Sequence, residues 1–204
     1  MLHKFLTYVT LSNIKDLVTI FTLLIGAYVA LKGLKAWKTQ LKGNQDYNLA
    51  KSMSLNLRKY IESLHQFRHP AIWGGEYPEF TEEELKAMSY KEKHHKEISN
   101  AYQKRWDHVI QKKIMLQENL LESQVIWEKD LTPYFQQLFK LEFQLVNAIS
   151  RYIETLKPSP THHAVEKTIH DLVWDQFDDD PFRTKLAPIV TSIEGYIKPH
   201  LKLK

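Results

Sequence analysis

The chain has 204 residues, a formal net charge of +4 at pH 7 and no cysteine. This length allows one large domain, or a membrane anchor followed by a domain of ordinary size. The lack of cysteine excludes disulfides, thiolate metal ligands and cysteine nucleophiles. Residues 1–60 carry nine Lys and Arg against two acids, a charge of +7, and the remainder carries −3. The basic character is therefore local, which argues against a nucleic-acid-binding protein defined by its overall charge.

The first predicted element is an apolar segment at residues 17–31, which contains no charged residue. It is shorter than the ~20 residues that usually cross a bilayer. Lys32 and Lys35 can reach the interface, however, and Gly33 and Leu34 lengthen the apolar stretch. We interpret the segment as a transmembrane helix within an N-terminal region 1–43. A buried core helix is the alternative.

The charges around this segment predict its orientation. Lysines follow it at positions 32, 35, 38 and 42, whereas Lys4 and Lys15 precede it. By the positive-inside rule, the N-terminus is outside and the C-terminal part is cytoplasmic. A cleaved signal peptide is the competing interpretation, but no small-residue cleavage site follows Leu31.

One face of the predicted span carries small and hydroxyl-bearing residues at helical spacing: Thr19, Thr22, Gly26 and Ala30. Residues three and four apart share a helix face, and small side chains let membrane helices approach closely. This face predicts that spans from several copies pack together or line a water-filled path. The alternative is that these residues are simply common in single spans.

Residues 44–204 predict a cytoplasmic bundle of about five helices, so the fold class is all-α. We expect a weak break at Lys42, Gly43 and Asn44, and then a helix from Asp46 to about residue 68. This helix has a heptad-like seam of apolar residues: Ala50, Met53, Leu57, Tyr60, Leu64 and Phe67. Two prolines and the Gly74-Gly75 pair predict a loop at residues 69–80.

Residues 82–130 contain no helix breaker, which predicts one very long helix or two helices joined near Ser89. Its expected core stripe is Trp106, Ile110, Ile114, Leu121 and Val125, with Val109, Leu116 and Leu120 beside it. Thr132-Pro133 is a predicted cap and first turn of an amphipathic helix that ends near Leu156.

Two shorter helices complete the predicted bundle. Ser159 or Thr161 can cap the first. The aspartates 178–180 and Pro181 open the last helix, which Pro188 should kink or divide. No run of residues alternates as a strand would.

The sequence lacks a phosphate-binding glycine loop, a nucleophile elbow and an HExxH motif. The adjacent pairs His94-His95 and His162-His163 do not chelate, because neighbouring side chains on a helix point about 100° apart. We expect no metal, no cofactor and no small-molecule substrate.

One combination of residues is suited to RNA chemistry. Arg58 and His65 are seven residues apart and share a helix face. An arginine that neutralises phosphate and a histidine that transfers a proton suffice for cleavage by a 2′-hydroxyl, if two such pairs meet in a dimer. Looser versions of this pattern are Arg68 with His69 and Arg105 with His108.

Motifs in residues 15–70 carry a family resemblance: W-K-T-Q-L-K-G, Y-N-L-A-K-S, R-K-Y-I-E-S-L-H and R-H-P, behind a short span. They resemble the bacterial single-span membrane accessory proteins encoded beside the RNA-cutting effector of type VI-B CRISPR systems. The resemblance implies a divergent HEPN-like cytoplasmic part, with Arg58 and His65 at its R-x6-H element, and assembly into a membrane pore. Lys59 stands where active HEPN nucleases usually carry a polar residue, often Asn, which argues against catalysis.

The leading hypothesis is therefore a non-enzymatic homo-oligomer in a bacterial inner membrane. Its bundles form a ring, and its spans line a pore that depolarises the infected cell and strengthens antiphage defence. Its expected partners are membrane lipid and an RNA-guided effector or RNA, with Arg58 and His65 as a structural or RNA-sensing pair. The alternatives are a membrane-tethered ribonuclease that uses Arg58 and His65, and a plain membrane-anchored scaffold.

Overall fold

The computed structural model describes residues 2–127, 130–158, 167–176 and 179–202, and the side chains of these residues except 2–13, 167 and 168. Helix accounts for 86% of the described chain, which contains no strand. The all-α prediction is therefore confirmed. The chain divides into two compact units, Met1–Gln45 and Asp46–Lys202.

The first unit is the N-terminal part of helix α1. The whole helix comprises Leu2–Phe67 without a break. The break that we predicted at Gly43 is wrong. A single glycine costs a helix only about 1 kcal/mol relative to alanine, and no proline accompanies it here. Helix α1 includes an apolar 18-residue window, none of which is buried. One N-terminal helix is thus long and apolar enough to cross a membrane, as predicted.

The second unit is a helical bundle. Its helices, besides the end of α1, are α2 (Glu82–Ala87), α3 (Tyr90–Ile126), α4 (Thr132–Thr155), α5 (Lys167–Val173) and α6 (Pro181–Ile197). Two short 3-10 turns, at Gly74–Glu76 and Lys198–Leu201, accompany them. The prediction of about five helices after the span is confirmed.

Side-chain caps explain where α2 and α3 begin. Thr81 Oγ1 accepts a hydrogen bond from the Glu84 amide at 3.2 Å, and Glu84 accepts one from the Thr81 amide at 2.9 Å. Ser89 and Glu92 repeat this reciprocal capping box, at 3.3 and 2.7 Å. Of our two alternatives for this region, two helices joined near Ser89 is therefore the one observed.

The starts of the later helices were predicted with mixed success. Thr132 is the first residue of α4 rather than its cap, and its amide donates to Asp130 Oδ1 at 2.8 Å. Asp180 caps α6 through the Phe182 and Arg183 amides. Pro188 lies within α6 and does not divide it. The candidate caps Ser159 and Thr161, and Asp178, lie outside the described residues.

The core confirms the predicted seam of α1. All six seam residues, Ala50, Met53, Leu57, Tyr60, Leu64 and Phe67, are at most 2% exposed. Helix α4 contributes most of its apolar face to the same core: Phe135, Leu138, Leu141, Leu145, Ala148 and Ile149.

The predicted core stripe of α3 is largely wrong. The buried apolar residues in this part of α3 are Val109, Leu116 and Leu120, whereas Ile110, Ile114, Leu121 and Val125 are 37–87% exposed. Polar residues share the buried face because they have partners in the bundle. Asn119, for example, accepts a hydrogen bond from Asn56 at 2.7 Å and donates to Ser52 at 3.2 Å. With these satisfied polar groups in the core, a different side of the helix is buried from the one that hydrophobicity alone predicted.

Candidate functional site

The small-residue face of the span is uncovered within its own unit. Thr19, Thr22, Gly26 and Ala30 are all exposed. The two threonine hydroxyls donate to carbonyls of their own helix, at Lys15 and Val18, both at 2.8 Å. A Cβ added at Gly26 would meet no atom within 4 Å. Because the threonine donors are already satisfied, this face can enter an apolar environment at little cost. Its packing against other copies stays a prediction.

Arg58 and His65 lie beside different acidic residues of the bundle. Arg58 Nη2 lies 3.2 Å from Glu194 Oε1 on α6, and its side chain is 73% exposed. His65 Nδ1 lies 3.7 Å from Asp175 Oδ2 and has no hydrogen-bond partner among the described residues. The Arg58 guanidinium is therefore open to a ligand, whereas Nδ1 of His65 is not.

Electrostatics keeps His65 neutral. Burial lowers the pKa of its imidazole, and the positive charge of Arg183 lowers it further, while Asp175 opposes both effects. A neutral, half-buried imidazole suits a structural role between α1 and the segment before α6. Nδ1 is enclosed, so this ring nitrogen has no access to a phosphodiester.

Arg68, the first of the looser candidates, belongs to the core. Its guanidinium is completely buried and donates to the carbonyls of Asp171, Leu172 and Trp174 at 3.2, 2.7 and 2.9 Å. It also lies 2.9 Å from the buried carboxylate of Asp180. Arg68 thus ties the end of α1 to the end of α5 and the start of α6, which makes it a structural residue.

The other candidates meet at a cavity of about 440 Å³ between the end of α1, the loop at residues 69–76 and α3. We call it the Trp73 cavity. Eight of the residues that line it carry ring, amide or charged groups: Gln66, Phe67, His69, Trp73, Glu76, Lys104, Arg105 and His108. Two histidines that we assigned to separate Arg–His pairs therefore share one site.

Arg105 holds the wall of this cavity in place. Its Nε and Nη2 bind the Glu76 carboxylate at 2.6 and 2.8 Å. The other guanidinium contacts are to the carbonyls of His69 at 2.5 Å and Ala71 at 2.6 Å. Asn100 adds a bond to the Glu76 carbonyl at 2.8 Å. The loop is therefore fixed to α3 before any ligand arrives.

Sequence reasoning missed Trp73, Glu76 and Lys104. Trp73 and Glu76 lie in the loop, and Lys104 lies on α3 beside it. The α3 side chains bind this loop largely through its backbone carbonyls, and the sequence does not show which carbonyls are used. The Trp73-Gly74-Gly75 tripeptide could have indicated the site. Two glycines favour a loop and have no side chains to cover the neighbouring tryptophan, so an exposed indole is expected there.

Metal binding has no support from the described residues, in which no three His, Asp or Glu side chains converge. The pair His162-His163 lies outside them.

The chain matches no family model, no curated protein and no solved structure. The resemblance to CRISPR accessory proteins accordingly rests on the motifs of residues 15–70 alone, and what it implies is a prediction.

Proposed function

We propose that this protein is a single-span inner-membrane protein whose copies assemble through their spans and permeabilise the membrane, as an accessory to an RNA-targeting CRISPR system. A single helix cannot enclose a path for ions, so permeabilisation requires several copies around a closed axis. The function is non-enzymatic in this proposal, and its partners are lipid, further copies and an RNA-guided effector or RNA.

The observation that carries the proposal is the uncovered apolar window of α1. An 18-residue apolar window has none of its residues buried. Each large apolar side chain left in water forgoes about 1.5–3 kcal/mol of burial free energy. Lipid and other spans provide that cover, and the face formed by Thr19, Thr22, Gly26 and Ala30 is the one narrow enough for close helix contact.

A second uncovered surface supports contact between the bundles of neighbouring copies. Ile110, Ile114, Leu121 and Val125 are exposed and fall within about 60° of one another around α3. This exposed α3 stripe continues over four turns of helix, which suits packing against the equivalent stripe of another copy. Assembly of several copies through both surfaces would cover them at once.

The orientation in the proposal follows from charge. Lysines at positions 32, 35, 38 and 42 lie on the bundle side of the apolar window. The positive-inside rule then gives a cytoplasmic bundle and an external N-terminus. A cytoplasmic bundle is also where an RNA-guided effector is found.

The test uses full-length protein, first in detergent and then in lipid vesicles that contain a self-quenching dye. Light scattering should give a multimer, and the vesicles should release dye. Gly26→Leu should reduce both the multimer and the release, because it widens the contact face. Gly43→Leu is the matched control, since Gly43 is an equally open helical glycine outside the apolar window.

Three results would contradict parts of the proposal. A monomer at every protein concentration would reject assembly. Multimers that release no dye would reject the pore and leave the membrane-anchored scaffold. RNA cleavage that Arg58→Ala and His65→Ala both abolish would favour the ribonuclease. For the defence role, we expect a CRISPR array and a large nuclease gene beside the gene for this protein.

A further inference from the structure

We propose that the Trp73 cavity binds a nucleotide, taking its base against the Trp73 indole and its phosphate on Lys104 and the two histidines. This site is distinct from the span and does not depend on assembly or permeabilisation. Four features of the cavity favour such a ligand: its size, the exposed face of Trp73, the ammonium group of Lys104 and the two imidazole rings.

The cavity is preformed and of suitable size. Its volume of about 440 Å³ falls in the range of ~300–1,000 Å³ that is typical of small-molecule sites. The loop that forms one wall is fixed by the four contacts of Arg105 described above. A ligand therefore does not have to order this loop, which removes a large part of the entropic cost of binding.

Trp73 offers an aromatic surface that the protein leaves uncovered. The side chain is among the large exposed hydrophobic groups, at 65%. On one side it stacks with His69, with ring centroids 6.0 Å apart and an interplanar angle of 27°. Indole and imidazole thus form a small stacking platform. Nucleobases stack on such platforms whatever their sequence, because every base has a π-face.

The charge of the cavity comes from Lys104. Glu76 and Arg105 neutralise one another: the hydrogen bond from Arg105 lowers the pKa of the Glu76 carboxyl, so that it stays ionised at neutral pH. Lys104 Nζ uses one of its three donors on the Gly75 carbonyl at 3.0 Å, which leaves two for a ligand. An anion is therefore the complementary ligand.

The histidines add donors at the same site. His69 Nδ1 lies 3.2 Å from the Ala71 amide and 3.3 Å from the Ala71 carbonyl. Nε2 is the ring nitrogen that makes neither of these backbone contacts, and it donates to a ligand when it carries the proton. His108 lies one helical turn beyond Lys104 and is exposed. Lys104, His69 and His108 together can donate to the several oxygens of one phosphate.

The cavity offers a surface for a planar ring and donors for a phosphate. A nucleotide has both groups, whereas a purely apolar or purely anionic ligand would use only one part of the site. Such a nucleotide has two sources, a free mononucleotide or one unit of single-stranded RNA. The experiment separates them. Full-length protein in detergent is titrated with adenosine 5′-monophosphate, with a fluorescently labelled octamer of uridylate, and with inorganic pyrophosphate.

Binding of the mononucleotide or the octamer, with pyrophosphate much weaker, is the expected result. Trp73→Ala should weaken binding about 5- to 100-fold, as the loss of one stacking contact does. Lys104→Gln should weaken it and make it less dependent on salt. Trp37→Ala is the matched control, because Trp37 is exposed to the same extent, 64%, but lies outside the bundle.

Trp73→Phe controls for a folding defect in Trp73→Ala. It keeps an aromatic ring at the site, so it should retain most of the affinity for the nucleotide. Tighter binding of the octamer than of the mononucleotide identifies RNA as the source, and equal binding identifies the free nucleotide. The proposal is overturned if neither probe binds, if Trp73→Ala and Lys104→Gln both bind as wild type does, or if pyrophosphate binds as tightly as the nucleotides. A monomeric protein that binds nucleotide would reject the pore and keep this site.

Discussion

The two parts of helix α1 have the same backbone and opposite burial. Every residue from 14 to 42 is exposed. From Asp46 onward, the seam residues are buried to 2% exposure or less, while residues between them, such as Leu55 and Arg58, are exposed. One difference is how the apolar residues are arranged around the helix. Apolar residues on all sides leave no single face for the rest of the chain to cover, whereas a seam with steps of three and four does.

The largest loss of stability is expected from a substitution at the buried end of α1. Arg68→Ala removes the guanidinium that pairs with Asp180 at 2.9 Å, and it leaves three carbonyls without that donor. Leaving a buried charge unpaired costs about 3–5 kcal/mol. Urea unfolding of the full-length protein in detergent should show a loss of this size.

The control for this change is Arg58→Ala. Arg58 forms an exposed ion pair with Glu194, and such pairs contribute at most about 1 kcal/mol. Equal losses for the two variants would mean that burial of Arg68 adds nothing to stability.

A smaller loss of stability is expected from a leucine-to-alanine change in the buried part of α1, and the same change in the exposed part is the comparison. Leu57→Ala creates a cavity in the core and should lower the free energy of unfolding by about 2–5 kcal/mol. Leu24→Ala removes the same atoms from an exposed position and should leave bundle unfolding unchanged in detergent. Circular dichroism against urea measures both, and a loss at Leu24 comparable to that at Leu57 would contradict the division.

The smallest of the expected changes in stability is the contribution of Asp180, which depends on pH. Burial would raise the pKa of Asp180, but hydrogen bonds from Arg68 and from the Gln176 and Arg183 amides lower it to about 2. A folded-state pKa below the unfolded value near 4 stabilises the fold above pH 4, and this stability is lost as pH falls towards 2. The loss amounts to roughly 2 kcal/mol.

Asp180→Asn tests the assignment, because asparagine retains a capping oxygen and does not titrate. The stability difference between wild type and this variant should narrow as the pH falls from 5 to 2. A difference that stays constant over this range would exclude Asp180 as the titrating group.

The sequence predicted those parts of the fold that follow from local periodicity and capping. The seam of α1 and the start of α3 at Ser89 belong to this group. The buried face of α3 does not, because Asn119 and Arg105 enter the core through partners as distant in sequence as Ser52, Asn56 and Glu76. Hydrophobicity assigns such residues to the surface unless their partners are known.

The candidate site shows the same limit. Arg58 and His65 were found by spacing on one helix, and the structure gives them separate partners. The Trp73 cavity brings together residues from α1, a loop and α3, and its shape depends on carbonyl groups that any residue could supply. Spacing rules apply within one element, so they cannot detect a site of this kind.

The contacts of Arg68 also impose an order on biosynthesis. Its carbonyl partners lie 103 to 106 residues further along the chain. A ribosome that adds ~5–20 residues per second needs roughly 5–20 s to make that stretch. The apolar window of α1 is complete long before then, whereas the guanidinium has no place to be buried until α5 and the start of α6 emerge. We therefore expect the apolar window to leave the ribosome before the bundle can close around Arg68.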